Sequence, residues 1–302
     1  MKNEITVTVL MSVFNGEKYL DKQLESIFSQ NLPDNYHLSL IIRDDGSLDR
    51  TEKIIEEWSN RIDIVYKKGT NVGAKESFYE LLYTAPDSDY YAFCDQDDIW
   101  LKDKLWNAIQ NIKRYMEKPI LYFSNIEYID ENDNKLNRTL LPNSFELSLQ
   151  RILMCNPANG CSMVWNRELH KNLIRNHFSA FTMHDEYVIT MAILIGKVVY
   201  DSNCSMLYRL HSQNVTQNKT LIKKFKLWRW VWFGNRFATL DKRCSELLEK
   251  LDIRNVTHKN ILISIANYKK GLNRFRILSS GYCCENKAIT RSFRLRMLLG
   301  VI

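Results

Sequence analysis

Four times in the first 116 residues a short apolar run gives way to a polar loop and then to apolar residues at helical spacing, and few folds accommodate that alternation. The first run, Thr6-Val7-Thr8-Val9-Leu10-Met11-Ser12-Val13-Phe14, is β-branched and apolar almost throughout, the pattern of a strand covered on both faces. It stops at Asn15-Gly16, a turn signal, and Tyr19-Leu20, Leu24 and Ile27-Phe28 then recur with the period of a helix. In the second unit Leu38-Ser39-Leu40-Ile41-Ile42 is the strand and Arg43-Asp44-Asp45-Gly46-Ser47 the loop, with Ser47 or Asp49 capping a helix through Ile54-Ile55 and Trp58. The third has Ile62-Asp63-Ile64-Val65-Tyr66 as strand, Asn71-Val72-Gly73 as loop and a helix from Lys75 to Tyr83. The fourth has its strand at 90–93 and its helix from about Leu101 to Met116. Such repetition predicts an α/β fold with a doubly wound, mostly parallel sheet, helices on both faces, and ligands beyond the carboxyl ends of the strands.

That rule directs attention to the loops after the first, second and fourth strands. In Phe93-Cys94-Asp95-Gln96-Asp97-Asp98-Ile99-Trp100 an apolar run ends at three carboxylates in four positions. Carboxylates so close raise one another's pKa unless a cation sits among them, so the cluster is a candidate site for a hard divalent metal. Taken alone it is also compatible with a solvated acidic turn, and Asp44-Asp45-Gly46-Ser47 alone with a helix-capping turn. Two acidic loops meeting at one crevice are harder to assign to capping. No G-x-G-x-x-G follows the first strand and no G-x-x-x-x-G-K-[ST] occurs, which disfavours a dinucleotide oxidoreductase or a P-loop enzyme.

The second half is less regular. A strand, Ile120-Leu121-Tyr122-Phe123, precedes the polar Asp130-Glu131-Asn132-Asp133-Asn134, a hairpin or surface loop. Asn156-Pro157-Ala158-Asn159-Gly160-Cys161-Ser162 runs into Met163-Val164-Trp165, read either as a site-lining loop or as a plain loop and edge strand. Met183-His184-Asp185-Glu186-Tyr187 opens a helix, where carboxylates ordinarily serve as caps or dipole partners. After a strand at 197–200 comes Tyr208-Arg209-Leu210-His211. From Lys219 the character changes: Lys219, Lys223, Lys224, Lys226, Arg229 and Arg236 interleave with Phe225, Trp228, Trp230, Trp232, Phe233 and Phe237. A basic, aromatic helix over 219–243 suits an anionic membrane surface first, with a packed appendage or homo-oligomer contact as the alternative; single-stranded nucleic acid is disfavoured. The tail from Ile289 to Ile302 repeats the basic and apolar theme. No run approaches the length needed to span a bilayer, no secretory h-region follows Met1-Lys2-Asn3-Glu4, and seven cysteines without a C-x-x-C spacing suggest reduced thiols. A cytoplasmic protein, peripheral at the inner face of the cell membrane, is therefore expected, with the adjacent Cys283-Cys284 left unpaired.

Taken together, Ser12-Val13-Phe14-Asn15, Asp44-Asp45-Gly46-Ser47-x-Asp49-x-Thr51, Asn71-Val72-Gly73 and the acidic motif closing the fourth strand resemble a family 2 glycosyltransferase of the GT-A fold, over roughly residues 5 to 215. The segment Cys94-Asp95-Gln96-Asp97-Asp98-Ile99-Trp100 is similar to bacterial rhamnosyltransferases of cell-surface polysaccharide synthesis. The resemblance implies a GT-A catalytic domain over 1–217, with a nucleotide-sugar half to about 118 and an acceptor half beyond it, followed by a helical appendage over 218–302. It implies a nucleotide-sugar donor, Mg²⁺ or Mn²⁺ as cofactor, and a glycan or lipid-linked glycan as acceptor. Asp44 and Asp45 would hold base and ribose in a pocket lined by Phe14, Asn15, Asn71 and Gly73. Asp95 would reach the ribose or sugar, Gln96 and Asp98 would flank it, and Asp97 would ligate the metal with His211 as a further ligand. Arg209 would serve as a phosphate or structural partner, and Asn159, Gly160 and His184 would lie on the acceptor side. The family's catalytic base falls at Asp185, with Glu186 as the alternative. The expected activity is inverting transfer of L-rhamnose from dTDP-L-rhamnose. UDP-hexose or UDP-N-acetylhexosamine donors, a non-catalytic membrane-associated scaffold, a nucleotidyltransferase and a hydrolase with two carboxylates are the competing readings.

Overall fold

The computed structural model describes residues 4–115, 118–142, 144–176, 178, 181–212, 237, 239–280, 282 and 287–300. The four expected βα units are present: β1 (Ile5–Val13), α1 (Leu20–Phe28), β2 (Tyr36–Asp44), α2 (Thr51–Trp58), β3 (Asp63–Lys68), α3 (Ala74–Thr84), β4 (Tyr90–Asp95) and α4 (Lys104–Lys113). Between β4 and α4 lies a short strand that helical spacing did not announce, β5 (Ile99–Trp100). Trp100 is thus a strand residue, paired antiparallel with Met206, and the helix expected from about Leu101 begins at Lys104. The helix after the second loop is preceded by Arg50 at the cap position, not by Ser47 or Asp49; Asp49 Oδ1 instead accepts the Thr51 backbone N–H at 3.0 Å.

Strands β6 (Ile120–Ile129), β7 (Lys135–Thr139), β8 (Met163–Asn166) and β9 (Lys197–Arg209) complete one sheet, in the order β3-β2-β1-β4-β8-β6-β9-β5, with β7 added on β6. The first four strands run parallel, β8 runs antiparallel between β4 and β6, and β9 is parallel to β6. The segment at 163–165 is therefore central rather than an edge. Strand β1 shows why the sheet is covered on both faces. Val7, Val9, Met11 and Val13 are buried with Leu20, Leu24 and Ile27 of α1 and Leu105, Ile109 and Ile112 of α4. Each such aliphatic side chain contributes about 1.5–3 kcal/mol by leaving water. The alternate residues face α3, where Ser12 Oγ meets Ser77 Oγ at 2.6 Å.

The chain divides into two compact units. One holds residues 1–145, 158–175 and 196–211, and therefore the whole sheet with α1–α4 and α6 (Arg167–Arg175). The other holds residues 146–157, 176–195 and 212–302, with α5 (Leu149–Met154), α7 (His184–Ile195), α8 (Leu240–Lys250), α9 (Val256–Ala266), α10 (Asn273–Ser279) and α11 (Lys287–Leu299). Helices α5 and α7, which lie at 146–195 in sequence, thus cluster with the C-terminal helices. Of the aromatic and basic residues singled out between Lys219 and Phe237, only Phe237 lies within the described residues; it is buried, with its ring 5.3 Å from that of Phe293. The rest, and Cys283-Cys284, lie outside them. The described cysteines Cys94, Cys155, Cys161, Cys204 and Cys244 are free thiols, and no described helix is long and apolar enough to cross a membrane.

In α6, His170 stacks on Tyr91 with ring centroids 3.8 Å apart, and burial pushes its pKa down to about 4. An unfolded histidine titrates near 6.5, so below that pH the unfolded chain binds a proton that the folded chain refuses. Stability is therefore unaffected above pH 6.5 and falls as pH drops from there toward 4, by up to about 1.4 kcal/mol per pH unit from this residue. Urea midpoints at pH 7 and pH 5 should separate more for the parent than for His170→Gln; equal separations would refute the assignment.

Candidate active site

Three loops meet beyond the carboxyl ends of β1, β2 and β4, and their own hydrogen bonds fix them. Asn15, in the left-handed region at φ 47°, gives its N–H to Ser47 Oγ at 2.9 Å while its Oδ1 accepts the Leu48 N–H at 3.0 Å. The Gly16 N–H donates to Thr51 Oγ1 at 2.8 Å and the Glu17 N–H to Asp49 Oδ2 at 3.0 Å. Gln96 joins the fourth strand's loop to the first: its Oε1 accepts the Phe14 N–H at 2.7 Å and its Nε2 donates to the Phe14 carbonyl at 3.0 Å. A side chain at Gly16 would collide with this bridge, since a Cβ there would lie 2.7 Å from Gln96 Oε1. The result leaves the Phe14 side chain exposed at the mouth of the crevice.

Asp44 and Asp45 are buried. Asp44 Oδ1 accepts the Ser47 N–H at 2.7 Å and its Oδ2 the Tyr66 hydroxyl at 2.8 Å; burial, then the bond to that carboxylate, drives the Tyr66 pKa up. Asp45 Oδ1 accepts from Arg43 Nη1 at 2.6 Å and from the Val72 N–H at 2.8 Å, and its Oδ2 accepts the Gly73 N–H at 2.8 Å. Gly73, at φ 84°, occupies backbone space that a side chain would strain. Asp45 thus pins the loop that presents Asn71, which is exposed. The pair fixes these loops through bonds to the chain itself. Each oxygen of Asp44 accepts one of these bonds, and a carboxylate oxygen carries two lone pairs.

In the acidic loop, Asp97 Oδ2 lies 2.7 Å from His211 Nε2, so the two residues picked out as metal ligands converge. The His211 ring sits 5.1 Å from that of Tyr19. Asp98 is 1% exposed, and its Oδ1 accepts the Arg209 N–H at 3.1 Å. Its Oδ2 is buried without a nitrogen or oxygen donor among the described residues. Burial, reinforced by Asp97 and Asp95, holds the Asp98 carboxyl well above the usual carboxylate range. Ligand atoms of Asp95, Asp98 and Cys161 lie within 4.8 Å of one another. The carboxylate of Asp97 beside the imidazole of His211 is a donor pair that fits a hard or borderline divalent cation such as Mg²⁺ or Mn²⁺.

Arg209 was expected as a phosphate or structural partner, and its guanidinium is turned onto the protein itself. It is 1% exposed, donates from Nε to the Asp97 carbonyl at 2.8 Å, pairs with Asp133, and lies over the Tyr19 ring. It therefore ties the β6–β7 hairpin to the back of the acidic loop, and Lys22 pairs with the same Asp133. Asn159 is half-buried and its carbonyl accepts the Ser162 N–H at 2.9 Å; Gly160 is buried in the 3-10 turn Gly160–Ser162 that feeds β8.

Arg43, Cys161 and Lys104 also stand at or behind these loops, although no motif marks them. Lys104 is fully buried, its pKa pushed down to about 8 by burial, with Nζ 3.3 Å from Ser205 Oγ. Its signal was available: Lys104, Ala108 and Ile112 are spaced by four, which puts a lysine on the buried stripe of α4. Arg43, ending a buried strand beside two aspartates, likewise required acidic partners, and it holds Asp45 and Glu80.

In the second unit α7 begins with His184, Asp185 and Glu186. His184, expected on the acceptor side, is buried, and burial pushes its pKa down to about 3. Glu186 pairs with the buried Arg243 and accepts the Thr182 hydroxyl at 2.5 Å. Asp185 Oδ1 accepts the Glu186 N–H at 2.6 Å, and the residue is half-buried.

A mostly parallel sheet with helices on both faces and acidic loops gathered at its carboxyl end is the GT-A architecture of nucleotide-sugar-dependent glycosyltransferases. The chain belongs to glycosyl transferase family 2, whose sequence model matches residues 8–173. It is 31% identical over 235 residues to dTDP-rhamnosyl transferase RfbG of Shigella flexneri, an alignment covering 72% of this chain and 77% of that protein. It is 25% identical over 228 residues to the Escherichia coli UDP-Glc:alpha-D-GlcNAc-diphosphoundecaprenol beta-1,3-glucosyltransferase WfgD, covering 72% and 82%. Among solved structures, S. aureus TarS 1-349 in complex with UDP-GlcNAc superimposes with a TM-score of 0.65 over 97% of this chain and 81% of that one, at 15% identity, a likeness of fold.

Proposed function

We propose that this glycosyltransferase is an inverting, metal-dependent enzyme that moves L-rhamnose from dTDP-L-rhamnose to a hydroxyl of a lipid-linked or nascent cell-surface polysaccharide. The observation that carries the donor is the 31% identity to a dTDP-rhamnosyl transferase, over an alignment longer than the family match. A polysaccharide-precursor acceptor draws support from WfgD, whose name gives a GlcNAc carried on diphosphoundecaprenol.

In this reading Phe14, held by Gln96, offers its ring to the base, and Asp44, Asp45 and the Asn71–Gly73 loop form the pocket for base and ribose. Asp97 and His211 hold Mg²⁺ or Mn²⁺, with Asp95 and Asp98 flanking them. When bound, such a cation supplies Lewis-acid stabilisation for the negative charge that grows on a departing diphosphate. Asn159 and Gly160 line the acceptor side. Asp185 takes the proton from the acceptor hydroxyl as it attacks the anomeric carbon opposite the leaving group, and one displacement inverts the configuration. Arg209 acts behind the site by fixing the backbone of Asp97.

A second reading, a UDP-sugar donor, is favoured by the UDP-Glc in the name of WfgD and the UDP-GlcNAc complex of TarS. The two are separated by offering purified protein with Mn²⁺ each nucleotide sugar in turn and measuring nucleoside diphosphate release, with Asp97→Ala as control. Release from dTDP-L-rhamnose alone is expected. Release from a UDP-sugar instead would replace the donor and leave the mechanism standing.

A further inference from the structure

Helices α10 and α11 turn apolar side chains toward water. On α11, Ile289, Phe293 and Met297 point inward, while Leu295, Leu298 and Leu299 share the outward face with Arg291 and Arg294. Leu272, Phe275 and Arg276, spaced as i, i+3 and i+4, form the outward face at the start of α10, with Leu272 65% and Phe275 56% exposed. Arg274 Nη1 donates to the Leu298 carbonyl at 3.2 Å, and Tyr268, in the turn between α9 and α10, donates its hydroxyl to the Gly300 carbonyl at 2.9 Å. These two bonds join the start of α10 to the end of α11, where the exposed leucines lie.

The charge on this stretch is as one-sided as its polarity. From Val256 to Leu299 the sequence has nine lysines and arginines, Lys259, Lys269, Lys270, Arg274, Arg276, Lys287, Arg291, Arg294 and Arg296, against one acid, Glu285. Among the described residues, no carboxylate pairs with Arg276, Arg291 or Arg294. Water favours the reverse arrangement, with leucines inward and charges alone outside. Apolar side chains interleaved with such cations match the boundary of an anionic bilayer, where the apolar groups enter the acyl region and the cations meet lipid phosphates.

We propose that the outward face of α10 and α11 docks on an anionic lipid surface, with Leu272, Phe275, Leu295 and Leu298 inserting and Arg276, Arg291 and Arg294 on the headgroups. A second copy of this chain fits poorly, because it would set like charge against like charge. Single-stranded nucleic acid calls for a series of stacking rings, and of the described apolar residues named on this face only Phe275 offers one, the rest being leucines. Lipid docking of this face is independent of the donor's identity and of catalysis.

Flotation of the full chain with vesicles tests it, using phosphatidylcholine alone and phosphatidylcholine with about one third phosphatidylglycerol, an anionic fraction sufficient to attract basic segments. Three proteins are compared: the parent, Leu272→Ser/Phe275→Ser/Leu298→Ser, and Arg291→Glu/Arg294→Glu. The parent should float only with the phosphatidylglycerol vesicles, and each variant should bind them at least about tenfold more weakly. All substituted residues are exposed, and a circular dichroism melt checks that both variants fold. Equal binding to both vesicle types, no binding by the parent, or full binding by folded variants would overturn the proposal, as would a parent dimer in solution that the leucine variant abolishes.

Discussion

Asp97→Asn is expected to lower sugar transfer by about 10²–10³-fold while leaving the fold intact. The substitution keeps the size of the side chain and removes only its charge. The backbone of residue 97 stays anchored, because the bond from Arg209 Nε runs to its carbonyl and not to its carboxylate. What is lost is the anionic half of the Asp97–His211 pair, whose polar atoms lie 2.7 Å apart. An amide is a weak ligand for a hard cation, so the loss falls on metal affinity and on the charge stabilisation the metal supplies. Two measurements separate this from general damage: nucleoside diphosphate release, and the rise in thermal midpoint on adding Mn²⁺, which reports binding to the folded state. The parent should show both, and the variant should melt like the metal-free parent with no rise. A variant that retains activity within a factor of a few would remove Asp97 from the metal site.

The position of the candidate site is legible because parallel α/β sheets place their ligands by rule, and the acidic residues closing β2 and β4 gather where the rule points. The parts that were not legible share a physical cause: they depend on contacts between residues distant in sequence. Gln96 reads as a flanking polar residue until its two bonds to the Phe14 backbone are seen. Arg209 carries a charge suited to phosphate, and only the tertiary structure reveals that Asp133 and the Asp97 carbonyl occupy it. β5 is two residues long, too short for any periodicity to register. The grouping of α5 and α7 with the C-terminal helices is discontinuous in sequence, and no local pattern encodes it.

Asp185→Asn and Glu186→Ala should fail in different ways, and the contrast identifies the base. Glu186 is bound to Arg243, which is 2% exposed, and to the Thr182 hydroxyl. Removing the glutamate leaves a buried guanidinium without its partner, a change that costs about 3–5 kcal/mol when an ion pair is broken from one side. A carboxylate engaged by a guanidinium and a hydroxyl is also badly placed to take a proton from a substrate. Asp185, in the first turn of α7, is engaged differently: its Oδ1 accepts the N–H of the next residue. Asp185→Asn should therefore lower kcat by about 10²–10⁴-fold with the donor KM and the urea midpoint little changed. Glu186→Ala should shift the urea midpoint strongly, while the protein that remains folded keeps most of its kcat. If instead Asp185→Asn stays active and Glu186→Ala is inert even when folded, the proton acceptor is Glu186, and Arg243 then serves to orient it.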